Sequence, residues 1–189
     1  MKSFYSEQEL TLLGFKSIGS NVQISRKTSF YGTSRISIGN NVRIDDFCVL
    51  SSGKGGIEIG NYVHIAIFSS LQGEGKITLQ DFVGVSSKVA IYSSSDDYFG
   101  EFMSNPTVPS QYTNITHANV LLSKHALIGS GAVLLPGITI GTGAVIGALS
   151  LVHGDCDEFY IYTGNPVKKL LRRSKKLLEL EKELLATLK

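Results

Sequence analysis

Four histidines, His64, His117, His125 and His153, are the side chains of this sequence best suited to moving protons near neutral pH. A pair of carboxylates, Asp96 and Asp97, followed by Tyr98, opens a polar stretch that also holds Pro106 and Pro109. Adjacent carboxylates can bond to ligand hydroxyls, and either becomes a general base if partial burial raises its pKa. The same residues also read as a turn with solvated carboxylates. The histidine spacings do not make a metal site, and no G-x4-G-K-[ST] phosphate loop is present. Cys48 and Cys156 lack the paired spacing of a zinc knuckle or a disulfide framework, which points to a reducing, cytoplasmic setting.

Charge is unevenly spread. The net charge is +2, but residues 168–189 hold eight basic and three acidic side chains, so this tail carries +5. Such a tail meets an anionic partner, a phosphorylated small molecule among them, or is a solvated helix face. Its leucines, rather than interleaved aromatics, argue against nucleic acid. No apolar run is long enough for a membrane span, and MKSFYSEQEL lacks the apolar core of a signal peptide.

The element that must position these residues shows in LLPGITIGTGAVIGALS, residues 134–150. Leu134, Ile140 and Ile146 recur every six residues, a period that fits neither a helix nor a plain strand. The same register runs through Ile18, Ile24, Phe30 and Ile36, slips by two to Ile38, Ile44 and Leu50, and returns at Ile59, Ile65 and Leu71. Leu79, Val85 and Ile91 carry it on, and Leu122 to Val152 complete it. A small or apolar residue follows four places after each start, as at Val42, Cys48, Val63, Ser69, Ala126 and Ala132. These hexads predict an all-β solenoid in which three short strands close one triangular coil and stacked coils bury a common core. Cys48 then belongs to the core.

IGSGAVLLPGITIGTGAVIGALSLV followed by GNPVKK resembles the hexapeptide-repeat acyltransferases, nearest to galactoside-type, xenobiotic-type and surface-polysaccharide sugar acetyltransferases. The resemblance covers the chain from Ile18 to Lys169. It implies a left-handed parallel β-helix, a homotrimer with active sites between subunits, acetyl-CoA as donor, and a sugar hydroxyl or amino group as acceptor. A catalytically impaired trimeric scaffold of the same fold is the alternative.

Three segments depart from the repeat. Residues 1–17 carry a capping box at Ser6 and Glu9 and are expected to form a short helix over the first coil. Residues 92–119 form an extruded loop within the β-helix of residues 18–164. Residues 165–189 read as a basic amphipathic helix capped by Asn165, with Pro166 in its first turn and an apolar face of Leu170, Leu171, Leu177, Leu178, Leu184, Leu185 and Leu188.

In the resembled enzymes a histidine base stands where the chain enters the loop, and that place falls on Ser94 here. Asp97 or Asp96 is one substitute, provided burial raises its pKa. His64 or His125, both outward in their hexads, is another, and His117 is a weaker candidate. An amino acceptor would demand less of a base. The same resemblance puts coenzyme contacts on Ser130, Ala148, His153, Gly154 and Lys168, with Lys169 and Arg172 available to the phosphates.

Overall fold

In a computed structural model, residues 3–187 are described; Met1, Lys2, Leu188 and Lys189 lie outside the described residues, including part of the expected N-terminal cap and the last leucine of the tail pattern. The hexads fold into a left-handed parallel β-helix with three sheets. The first face holds six strands, running from Ser17–Ile18 through Ile36–Ile38, Ile57–Ile59, Ile77–Leu79 and Val120–Leu122 to Thr139–Ile140. The second runs from Gln23–Ile24 to Tyr160–Thr163, and the third from Ser29–Tyr31 to Leu151–Val152.

Register explains why the aliphatic residues recur. On the second face Ile24, Ile44, Ile65, Val85, Ile128 and Ile146 pair directly from coil to coil. All six are at most 1% exposed. Each such side chain contributes roughly 1.5–3 kcal/mol by leaving water, and equivalent buried columns line the other two faces. Cys48 is fully buried among them, and its burial pushes the thiol up to about 11, as expected of an inert core residue. Ile18 and Phe30, on the open first coil, pack against this core only partly.

The two-residue slip in the hexads also has a structural cause. The connection from third face to first is widened, first by a 3-10 turn at Thr33–Arg35, then by glycine-rich stretches around Gly53 and Gly73. The extruded loop leaves from this same corner after Ala90–Tyr92 and returns before Val120–Leu122. These wide corners stack so closely that a Cβ on Gly53 would lie 2.5 Å from the backbone of Glu74. Glycine is required there to let the corners nest.

Helix α1, Glu7–Leu12, has the expected capping box: the Ser6 amide donates to Glu9 Oε2 at 2.8 Å, and Ser6 Oγ accepts from the Glu9 amide. Leu10 seals the first coil. The tail departs from expectation. No helix starts at Asn165; a turn at Gly164, with φ +108°, reverses the chain, and Lys168–Arg172 pairs antiparallel with Tyr160–Thr163. The free edge of the last coil offers backbone partners that outcompete the helix. Helix α2 spans Leu177–Thr187. Its hydrogen bonds to the coils run through Glu181; Leu177 and Leu178 are half-buried, while Leu180, Leu184 and Leu185 stay 53%, 40% and 41% exposed. No described helix is long and apolar enough to cross a membrane.

Candidate active site

Three places on the solenoid gather the polar side chains singled out above. The first is the root of the extruded loop. Ser94–Ser95 and Thr116–His117 form a two-residue antiparallel ladder that closes the loop's neck. Within it, Ser94 Oγ lies 2.8 Å from His117 Nδ1. The same Oγ accepts from the Glu74 amide at 2.8 Å, which fixes the hydroxyl in place. Ser94 is where the family histidine was expected, and a histidine reaches it from the returning strand. The pairing of the two loop arms, which brings His117 to Ser94, is not visible in a six-residue register. The pair borders a cavity of about 660 Å³ lined also by Tyr31, Arg35, Gln72 and Tyr92.

Asp96 and Asp97 follow directly, both half-buried. Asp97 accepts from the amides of Phe102 at 2.8 Å and Phe99 at 3.0 Å. These backbone donors hold its carboxyl below the usual range, the opposite of the raised pKa the sequence reading required. Within one chain Asp97 is therefore an ionised, oriented carboxylate that staples the loop's first turn. The Asp96 carboxylate accepts no hydrogen bond from any described residue; only its backbone carbonyl does, from Ser95 Oγ at 3.3 Å. Beyond them the loop exposes Tyr98, Phe99, Phe102 and Met103.

The second place is a groove of about 310 Å³ at the corner between the second and third faces. His64, Ser86, Ser87 and Ser130 line it. His64 Nε2 bonds to Asp45 Oδ2 at 2.8 Å, and Asp45 Oδ1 accepts from Arg43 Nε at 2.7 Å. Burial would raise the Asp45 pKa, but bonds from Arg43 and His64 outweigh it and keep the carboxylate ionised. The partnership was legible once the coil length was known, because Arg43 and His64 are register neighbours. Ser130 and Ala148 occupy successive coils of this corner, joined by a 2.9 Å bond from the Leu149 amide to the Ser130 carbonyl. A Cβ on Gly129 would lie 2.5 Å from the Ala148 nitrogen, so the coil edge here is bare backbone.

Lys168 begins the antiparallel strand beside Thr163. Thr163 in turn packs on Gly147, next to Ala148. Ser130, Ala148 and Lys168 therefore follow one edge. His153 and Gly154 do not join them; they follow the strand Leu151–Val152 at its far end, exposed.

His125 defines the third place, and it is occupied. Its ring stacks on Phe82 with centroids 4.9 Å apart, and Phe82 stacks on Tyr62 at 4.9 Å. His125 Nε2 bonds to Glu181 Oε2 at 2.8 Å, and Lys124 pairs with the other oxygen. Arg173 donates to the His125 carbonyl at 2.9 Å. The structure thus gives His125 to the docking of α2, away from the loop root and the groove. Among the described residues no cluster of His, Cys, Asp and Glu could hold a metal ion.

No family model matches the chain. The chain is 55% identical over 179 residues to a dTDP-4-amino-4,6-dideoxy-D-glucose acyltransferase from Escherichia coli, covering 95% of this chain and 93% of that one. The chain belongs to the hexapeptide-repeat acyltransferases. As a member it is an acyltransferase that uses a coenzyme A thioester as co-substrate. AntD, an N-acyltransferase from Bacillus cereus solved with dTDP and 3-hydroxybutyryl-CoA, superposes with a TM-score of 0.93 at 46% identity, covering 100% of this chain and 99% of that one. AntD variants altered at one serine or one aspartate, ten positions apart, have been solved with coenzyme A and either dTDP or dTDP-4-amino-4,6-dideoxyglucose. A galactoside acetyltransferase with coenzyme A shares the fold at a TM-score of 0.60 and 20% identity, covering 90% of this chain and 74% of that one.

Proposed function

We propose that the protein transfers an acyl group, acetyl in the first instance, from acyl-CoA to the amino group of a dTDP-linked 4-amino-4,6-dideoxy sugar. The 55% identity along nearly the whole chain to an enzyme named for that acceptor carries the reading. An amine attacks the thioester carbonyl, a C–N bond forms, the C–S bond breaks, and the amine's proton must reach the departing thiolate. His117, oriented by Ser94, is placed to take that proton and return it. An ionised Asp97 or Asp96 stabilises the positive charge that develops on the attacking nitrogen.

Two serine–aspartate pairs of this chain share the ten-residue spacing of the altered AntD residues: Ser86 with Asp96, and Ser87 with Asp97. In each, the serine lines the groove of His64 and Ser130 and the aspartate opens the extruded loop. In this reading coenzyme lies in the groove, along Ser130, Ala148 and Lys168, and the acceptor at the loop. Groove and loop root sit at different corners of one chain, so a complete site needs two chains. The reading is therefore a homotrimer with sites between subunits, where the exposed loop aromatics meet a neighbour. A cytoplasmic setting, supported by two buried free cysteines, and a role in surface-polysaccharide assembly complete it.

The test is thiol release and product mass with dTDP-4-amino-4,6-dideoxyglucose, offered with acetyl-CoA and separately with 3-hydroxybutyryl-CoA. Release of coenzyme A with a mass gain of one acyl group is expected. No turnover with either donor overturns the assignment.

A further inference from the structure

The loop-root cavity contains a cation that no carboxylate of the described residues neutralises. Arg35 lies in the first widened corner, folded back over Gly32. A Cβ at Gly32 would come within 2.5 Å of the Ser52 carbonyl oxygen and 2.2 Å of Arg35 Nη2, and its φ of +70° is a glycine conformation, so glycine leaves room for the guanidinium beside that carbonyl. Arg35 Nε donates to the Gly53 carbonyl at 2.8 Å and to Ser52 O at 3.2 Å, and Nη2 also donates to Ser52 O. Carbonyl dipoles thus fix the group without cancelling its charge. Nη1 makes no hydrogen bond among the described residues. Glu74, the one carboxylate lining the cavity, is engaged by the Lys54 amide at 3.1 Å and forms no ion pair with Arg35.

We infer that Arg35 binds the diphosphate of the nucleotide-sugar acceptor, with the sugar amine directed toward Ser94 and His117 across the same cavity. The inference rests on the function proposed above and adds its anion subsite. A guanidinium already fixed in orientation presents its remaining N–H donors to phosphate oxygens with little ordering cost. The volume of about 660 Å³ is in the range that holds a ligand of this size, and Tyr31 and Tyr92 also line it. Coenzyme A also carries a diphosphate. Its candidate cations, Lys168, Lys169 and Arg172, belong to the last strand of the stack, whereas Arg35 belongs to the first coils. The two diphosphates thus have separate partners.

The experiment is calorimetric binding of dTDP, thymidine and coenzyme A to the full chain and to Arg35→Met and Arg35→Lys, with thermal unfolding to confirm the fold. The expected result is dTDP affinity reduced at least about tenfold in Arg35→Met and less in Arg35→Lys, with thymidine and coenzyme A unchanged. Unchanged dTDP affinity in Arg35→Met overturns the subsite, as does a loss confined to coenzyme A. An unfolded Arg35→Met passes the decision to Arg35→Lys, in which unaltered dTDP affinity and KM likewise overturn it. If the unaltered protein acylates the aminosugar while Arg35→Met keeps its KM, only the subsite fails; if the unaltered protein neither binds dTDP nor acylates, the proposed function fails with it.

Discussion

Ser94 and His117 face each other across the neck of the extruded loop, with Oγ and Nδ1 2.8 Å apart and the hydroxyl pinned by the Glu74 amide. His117→Ala is expected to lower kcat roughly a hundredfold, the usual worth of a positioned proton carrier. Ser94→Ala should cost less, since it frees the ring without removing it. Steady-state kinetics from pH 5 to 9 decide this, and full activity of His117→Ala would reduce the pair to a loop clasp.

Asp97 bonds to two backbone amides and is held below the usual carboxylate range, so it stays ionised wherever the enzyme works. Asp97→Asn removes the charge and one of the acceptors. Turnover should drop at least tenfold while the proposed trimer survives, as seen by gel filtration beside an activity assay. Asp96→Asn, made in parallel, shows which neighbour meets the substrate. If neither variant loses activity, no carboxylate here takes part.

His64 draws its orientation from Asp45, which Arg43 holds in turn. His64→Ala is expected to lower turnover by at least about tenfold, with coenzyme KM raised, because its ring lines the groove assigned to coenzyme. Asp45→Asn should reproduce part of that loss without touching the groove. A His64→Ala enzyme with ordinary kinetics would leave the groove to backbone alone.

The docking of α2 should depend on pH in one direction. Burial would raise the pKa of Glu181, but bonds from Lys124 and His125 prevail and lower it from 4.5. A carboxyl depressed in the folded state stabilises at pH values above its unfolded value, and that contribution fades as pH falls through the folded one. The helix should hold at pH 7 and loosen below about pH 4.5. Hydrogen exchange in residues 177–187 at pH 7 and pH 4 measures it, and equal protection at both would refute the clamp.

The fold was readable because its signal repeats: every Ile, Leu or Val that opens a hexad from Ile24 onward on the second face sits in one buried column. What the six-residue period hides is the coil of about twenty residues, the distance at which Arg43 meets His64 and Asn61 meets Asp81. Side-chain partners across coils are invisible until that second period is applied. Asp96 and Asp97 were identified by type, but Asp97's environment depends on amides of a turn no periodicity specifies. His125 looked outward in its hexad, and so it is; helix α2 then covers it. The tail misled because leucines at helical spacing also suit a strand when an unpaired edge is close by.

The last strand, Lys168–Arg172, runs against the direction of every coil beneath it. A parallel ladder could otherwise accept another copy end to end, since each coil edge is a template for the next. A reversed strand studded with lysine and arginine spoils both the polarity and the charge of that template. The hairpin is thus the molecule's terminator: it denies copies of the chain an end-to-end route to an endless filament.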